Sequence, residues 1–295
     1  MKVIERTGII SNNDYKKVSN KIIYWSIIAI LIVISVICIL PVAWVLISSL
    51  KSLDEFYATP PIIWPKEFHF EMIPELFGRY DFTRLYINTF VLCAGSIFFS
   101  IIINGSMGYS LSKLKAKGSG LVFAVILATY MMPTTVCMAA IYKNIIKFPI
   151  LGINLTNTNW PMWLMAGANA YFVILYKSFF DGIPNELIES AKLDGCGDFR
   201  IFYKIVLPLS KPIVATTAIL SFSGAWGDFL WPYLVLKDTN VQTIMVKIFA
   251  MQGSTLYGIN VVLLGITFAI IPPAIIFIIF QRKIMNGFTM SGIKG

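Results

Sequence analysis

Charge is what this chain has least of. Of its 295 residues, 13% are Asp, Glu, Lys or Arg, against 57% that are hydrophobic. A soluble domain so poor in charge has too little polar surface to cover itself, whereas a lipid-facing surface needs none. The deficit excludes a soluble enzyme or binding module and points to an integral membrane protein. The one histidine, His69, stands in a polar loop with no partner motif and reads as a solvated loop residue. The four cysteines, Cys38, Cys93, Cys137 and Cys196, are scattered without CxxC or Cys/His spacing. Neither a zinc site nor a disulfide framework is supported, and they read as small apolar fillers. No GxxxxGK[ST] loop occurs, so the chain has no means of its own to cradle nucleotide phosphates. The apolar segments also lack the paired carboxylates, Ser/His sets or metal ligands that an intramembrane enzyme needs.

What is present is an excess of base, 24 Lys and Arg against 15 Asp and Glu, giving a net charge of +9. The bases do not gather into a groove-sized patch, as nucleic acid would require. They sit at the ends of apolar segments, where the positive-inside rule places them. A polar tail, residues 1–21, precedes an apolar run from Ile22 to about Leu50 that is too long for a cleaved signal and contains Pro41. A long polar connection, 51–86, follows. Five further spans are expected at about 87–111, 121–142 (interrupted by Pro133), 160–180, 213–236 (starting at Pro212) and 261–280. Lys and Arg crowd into the N-terminal tail, Lys113–Lys117, the stretch from Lys177 to Lys211 and the C-terminal tail. The expected topology is therefore six transmembrane helices with both termini cytoplasmic. The expected organisation is a tail at 1–21, a transmembrane domain at 22–281 with a core of about 86–281, and a tail at 282–295.

One polar insert, 182–212, is cytoplasmic on this topology and amphipathic. Pro184 and Asn185 suit a helix start, with Glu186 and Glu189 in the first turns, where carboxylates complement the helix dipole. Leu187, Ile188 and Ala191 share one face. Asp194-Gly195 ends the helix with a tight reversal, Asp198 caps a second helix over Phe199–Val206, and Leu207-Pro208 stops it. A three-turn helix is marginal in water alone, so its apolar stripe must pack on something. Charge balance and the lack of an aromatic in the first helix favour a groove in a partner over lipid headgroups.

The pattern Glu189-Ser-Ala191, three residues, Gly195, nine residues, then Ile205-x-Leu207-Pro208 resembles the EAA motif. That motif marks the membrane permease subunits of ATP-binding-cassette importers. Ser190 and Cys196 stand where alanine is usual. Leu40–Trp44, Ser49–Lys51, Asn88–Phe90, Gly108–Ser110, Met132-Pro133, Trp226–Pro232 (with Gly227 for a frequent Asn) and Asn286–Gly295 are similar to the carbohydrate branch of that family, the MalG-like subunits. The resemblance implies an all-α type I importer permease fold in the bacterial cytoplasmic membrane, and a cargo of sugar or oligosaccharide. It implies a second, MalF-like permease, an ATPase dimer that binds the ATP and magnesium, and an extracytoplasmic solute-binding protein. It gives this chain no cofactor and no nucleic-acid partner.

The resemblance also assigns roles. Glu186, Leu187, Glu189, Ser190, Ala191, Asp194, Gly195, Leu207 and Pro208 would couple to the ATPase, with Glu189 as the ionic contact and Leu187 and Ala191 packing its cleft. The C-terminal tail would reach the ATPase dimer interface. Gly253, Tyr257 and Gly258, in an outer loop, would meet the binding protein. Asn104, Asn169 and Asp228 are costly to expose to lipid and are candidates to line a pathway or to bridge helices. Two other readings stay open: a permease for glycerol-phosphate-type or other small polar solutes, and a stand-alone secondary transporter. The second usually needs several ionisable groups within its spans, and here there is Asp228 alone.

Overall fold

The computed structural model describes residues 18–254 and 256–292, with the backbone alone given for 18–19 and 282–292. Residues 1–17 of the N-terminal tail and the last three of the C-terminal tail lie outside the described residues. Every regular element described is helical: α1 Val18–Ser48, α2 Leu53–Phe56, α3 Met72–Arg79, α4 Phe82–Leu114, α5 Ser119–Met131, α6 Met138–Ile146, α7 Trp160–Gly167, α8 Ala170–Asp181, α9 Asn185–Leu193, α10 Asp198–Leu209, α11 Lys211–Gly227, α12 Leu230–Val235, α13 Ile244–Gln252 and α14 Ile259–Gly292. The described chain falls into two compact units. The described residues within Met1–Met72 and Gly258–Thr267 make up one, and those within Ile73–Tyr257 and Phe268–Gly295 the other.

Among the described residues, three helical stretches are long and apolar enough to cross a membrane unaided: Asn20–Ser48, Phe82–Leu114 and Ile259–Gln281. A bent pair, α10 with α11, brings the number to at most four. The other expected spans are broken rather than continuous, and each break has a local cause. Pro133 has no N–H to donate and disfavours helix in Met132 before it, so α5 stops after 13 residues. At about 1.5 Å per residue, that is roughly 20 Å, short of a ~30 Å hydrocarbon core. The expected fourth span splits into α7 and α8 at Ala168-Asn169, and the fifth into α11 and α12 at Asp228-Phe229.

In the first unit, Lys51, the first base after α1, is buried. Its ammonium donates to the Ile62 carbonyl at 2.6 Å and to Ser48 Oγ at 3.4 Å, and sits 4.3 Å from the centre of the Trp44 ring. Burial pushes its pKa down, while the nearby Glu55 raises it in part. A cation stays in such a place only when paired or hydrogen-bonded. Lys51 thus ties the end of α1 to the following loop.

The second unit is built around α4. Two wider, π-type turns, Ser100–Asn104 and Ser110–Leu114, interrupt its regular hydrogen bonding. Side-chain volume is withdrawn where other helices cross it. A Cβ on Gly95 would collide with the Trp163 indole of α7, whose Nε1 donates to the Leu92 carbonyl at 3.1 Å. A Cβ on Gly108 would lie 2.6 Å from Tyr176 Cβ and 3.0 Å from the Lys177 nitrogen of α8. Such small-residue crossings let backbones approach where lipid supplies no hydrophobic drive between helices. At Gly108 the obstacle is backbone, which has no rotamer to escape into. Gly108→Ala is therefore expected to destabilise the fold by about 1–3 kcal/mol. The control Gly120→Ala, with open space at its Cβ, should leave stability unchanged or slightly raised. Thermal unfolding of the purified variants in detergent checks both.

Candidate functional site

The insert between α8 and α11 forms an elbow. Its first helix, α9, is capped at its C-terminus by a complete Schellman arrangement. Cys196 N–H donates to the Ala191 carbonyl at 2.9 Å and Gly195 N–H to the Lys192 carbonyl at 3.0 Å. Gly195 takes φ +78°, the left-handed conformation the sequence pattern anticipates, and open space surrounds its missing Cβ. Lys192 Nζ and Asp198 Oδ1, 3.0 Å apart, bridge the reversal.

The stripe of α9 does not face outward as a whole. Ile188 and Ala191 are buried in a core with Tyr109, Tyr176, Phe202 and Val206. Leu187, expected beside them, is 45% exposed. The helix thus lands its stripe on its own chain, and Ala191 is not available to a partner. What it presents instead is a rim of exposed residues: Glu186, Leu187, Glu189, Ser190, Leu193 and Asp194. Leu193 is 90% exposed, and beyond the turn the exposed Phe199 and Tyr203 rings stack at 6.0 Å.

Two further expectations for the elbow are corrected. Asp198 does not cap the second helix: Gly197 holds the cap position without a side-chain bond, and Asp198 is the first helical residue, engaged with Lys192. Pro208 does not stop that helix either. The helix runs through the π-type turn Phe202–Val206 and past the proline to Leu209. The chain then turns through 85° at the fully buried Ser210 into α11. Ser210 Oγ donates to the Val206 carbonyl at 2.6 Å. Leu207 packs against the elbow core while Pro208 is exposed.

The base of the elbow is pinned to α4. Asp181, at the end of α8, accepts from Ser112 Oγ at 2.7 Å and pairs with Lys177 at 2.8 Å, while Lys113 donates to the Ile183 carbonyl and to Asn185 Oδ1. Partial burial raises the Asp181 pKa, but the bonds from Lys177 and Ser112 outweigh it and hold the carboxyl below its usual value.

A second feature lies deeper in the same unit. A cavity of about 840 Å³ is bounded by parts of α4, α5, α7, α8 and α11, and its volume is in the range of small-ligand sites, ~300–1,000 Å³. Asn169 and Asp228 both line it, and both stand at a helix break. Asn169 Oδ1 accepts from Phe172 N–H at 3.3 Å and caps α8. Asp228 Oδ1 accepts from Leu230 N–H at 2.9 Å and Trp231 N–H at 3.4 Å, capping the start of α12. Tyr130 and Tyr171 stack at 6.3 Å on its wall. Asn104 is elsewhere. It is fully buried within α4, donating to Ser100 Oγ at 3.3 Å and to the Ala166 carbonyl at 2.9 Å, and accepting from the Asn169 N–H at 3.1 Å. Of the two roles open to it, bridging helices is the one its bonds perform. The breaks went unread in the sequence although their signal was there, Asn and Asp being the residue types that open helices.

Of the outer-loop residues, Gly253 ends α13 in an ordinary conformation, φ −85°. Tyr257 accepts from Lys247 at 3.3 Å and packs edge-on to Tyr80. Gly258 has Asn260 and Leu53 against the place its Cβ would take. The backbone of the C-terminal segment continues α14 as helix to Gly292, where a separate tail was expected from about 282. His69 pairs with Glu71 at 2.6 Å, and no cluster of metal-ligating side chains occurs among the described residues.

The fold and these sites define a helical membrane permease. A family model described as "binding-protein-dependent transport system inner membrane component" matches residues 96–288, and the chain belongs to that family. It is 28% identical over 265 residues to the arabinooligosaccharides transport system permease protein AraQ of Bacillus subtilis (strain 168), covering 89% of this chain and 92% of that one. It is likewise 28% identical over 260 residues to the melibiose/raffinose/stachyose import permease protein MelC of the same organism, 87% and 91% covered. Its fold matches, at TM-score 0.78 and 21% identity, a chain of a bacterial ABC transporter involved in import of the acidic polysaccharide alginate, covering 90% of this chain and 98% of that one. The fold class is thus the all-helical importer-permease one that the motif resemblance implied.

Because the Asp181 pKa is depressed on folding, its contribution is complete above the ordinary carboxylate range and is lost only as pH falls through the lowered value. At neutral pH the tie is at full strength, so mutation is the means to release it. In Asp181→Ala, trypsin is expected to cut at Lys192 or Arg200 several-fold faster than in the parent, with the helices of the membrane region still protected. Equal cleavage rates would mean that the elbow is held by its apolar core alone.

Proposed function

We propose that this chain is the permease subunit of an ATP-driven importer that moves a sugar or oligosaccharide across the bacterial cytoplasmic membrane, with both termini on the cytoplasmic side. The observation that carries this reading is the division of α9 into an anchored face, Ile188 and Ala191, and a free rim of carboxylates and leucine. A helix held on its own protein by one face while offering Glu186, Leu187, Glu189 and Ser190 on the other is suited to lie in the groove of a soluble partner. The chain lacks a phosphate loop, so that partner is the subunit that binds ATP and magnesium. Glu189 supplies the ionic contact, and Leu187, joined by Leu193, the apolar one. Asp194 and Gly195 make the reversal, and Leu207 and Pro208 lead the elbow back to the 85° corner. Sugar as cargo is supported by the named transport roles of the relatives. The rest of the assembly on this reading is a second, MalF-like permease and an extracytoplasmic binding protein that meets the loop carrying Gly253, Tyr257 and Gly258. Within this chain, Asn169 and Asp228 line the pathway through the cavity.

Purification from its native membrane is expected to bring down an ATPase and a second permease with this chain. Recovery of an active carrier consisting of this chain alone would favour the stand-alone secondary transporter. Gly195→Asp is the sharper test. With nothing near the added side chain, its cost is the left-handed backbone, roughly 1 kcal/mol, too little to prevent insertion. ATP hydrolysis should persist in the assembled complex while sugar uptake falls by an order of magnitude or more. Uptake equal to that of the parent would remove Gly195 from the coupling path.

A further inference from the structure

The wall of the cavity carries one formal charge. Among the residues that line it, Ser96, Thr129, Tyr130, Asn169, Tyr171 and Ser221 are polar and uncharged, and no Lys or Arg takes part. Asp228 alone is a carboxylate. Its Oδ1 is engaged by the two backbone N–H groups of α12, and no side-chain cation pairs with it among the described residues. The helix-capping duty does not account for the choice of residue, since asparagine caps equally well and the other break on this wall, at Asn169, uses it. An unpaired charge between apolar walls is felt strongly, because low-dielectric surroundings focus its field into the opening.

We propose that Asp228 is a specificity-determining residue, acting as a charge filter. Its carboxylate accepts hydrogen bonds from the hydroxyls of uncharged glycans and turns away those carrying carboxylate or phosphate. This rests on the pathway reading above and narrows it, favouring neutral oligosaccharides over uronates and over solutes of the glycerol-phosphate kind. The stacked Tyr130 and Tyr171 rings complete the site, offering a flat apolar face for the C–H side of a sugar ring while Asp228 takes hydroxyls.

The filter can be read without knowing the sugar. Gly224 lines the cavity one helical turn before Asp228, and open space meets its Cβ. In the assembled complex, a thiol introduced by Gly224→Cys is treated with two methanethiosulfonates of similar size, one bearing a trimethylammonium and one a sulfonate. Rates are corrected for the unsubstituted chain and referenced to a free thiol. The expected result is a preference for the cationic reagent of about tenfold, abolished when Asp228→Asn is added. Asparagine preserves the cap, so a merely structural role for Asp228 would leave the preference in place. An unchanged ratio in Asp228→Asn overturns the filter and leaves the pathway standing. A thiol that reacts with neither reagent overturns both, because the cavity would then be closed to water. Loss of the importer reading itself would show separately, as a chain that purifies without an ATPase.

Discussion

A backbone amide buried in hydrocarbon must find a partner, and most of this structure follows from that requirement. Long apolar helices meet it automatically. The exceptions are the places where the chain needs something other than a straight rod, and there a side chain must supply what the helix no longer does. Asn169 and Asp228 each accept backbone N–H groups of the helix that follows, so the chain can break and restart in the middle of an apolar region. Asn104 satisfies the other side of one break by accepting the Asn169 N–H. Polar groups are costly at such depth, and their cost is met twice over, once by capping and once by the cavity they open onto.

The elbow solves the complementary problem in water. A nine-residue helix cannot stand alone there, and α9 gains its stability from Ile188 and Ala191 set into the chain's own core. Its ends are closed by a glycine reversal on one side and by the Ser112–Asp181 and Lys113 bonds on the other. On the function proposed above, this divides the labour around one helix: the buried side belongs to the permease, and the exposed side is offered to the ATPase. Leu193, Phe199 and Tyr203 extend that exposed side beyond the motif residues.

Much of this was legible in the residues before any coordinates. Poverty of charge read as membrane, and the spacing from Glu189 to Pro208 marked the elbow and its glycine. Reading spans as uninterrupted apolar runs failed at Asn169 and Asp228, because hydropathy averages over a single polar residue while a helix can be broken by one. The stripe of α9 departs from the expectation at Ile188 and Ala191, because three residues spaced i, i+1 and i+4 cover a wide arc, and which edge of it is buried on the chain itself depends on Tyr109, Tyr176 and Phe202 from elsewhere in the chain. The burial of Lys51 has no signal in the sequence. Its burial depends on a carbonyl eleven residues away. Contacts that are local in sequence were readable, and those made by folding were not.

The meeting of Gly108 with the backbone of Lys177 has a mechanical reading. Where two helices touch through side chains, rotamer changes act as a cushion and the pair can slip past one another. Here the Gly108 Cα faces Tyr176 Cβ and a main-chain nitrogen, with no compressible layer between them. Sliding along either axis would drive neighbouring side chains into backbone. The crossing is therefore a fixed point of the pair, and a few residues further along the same two helices Ser112 and Asp181 hold the base of the elbow. With contact at Gly108 and hydrogen bonds at Ser112 and Lys113, α4, α8 and the base of the elbow are held together as one piece.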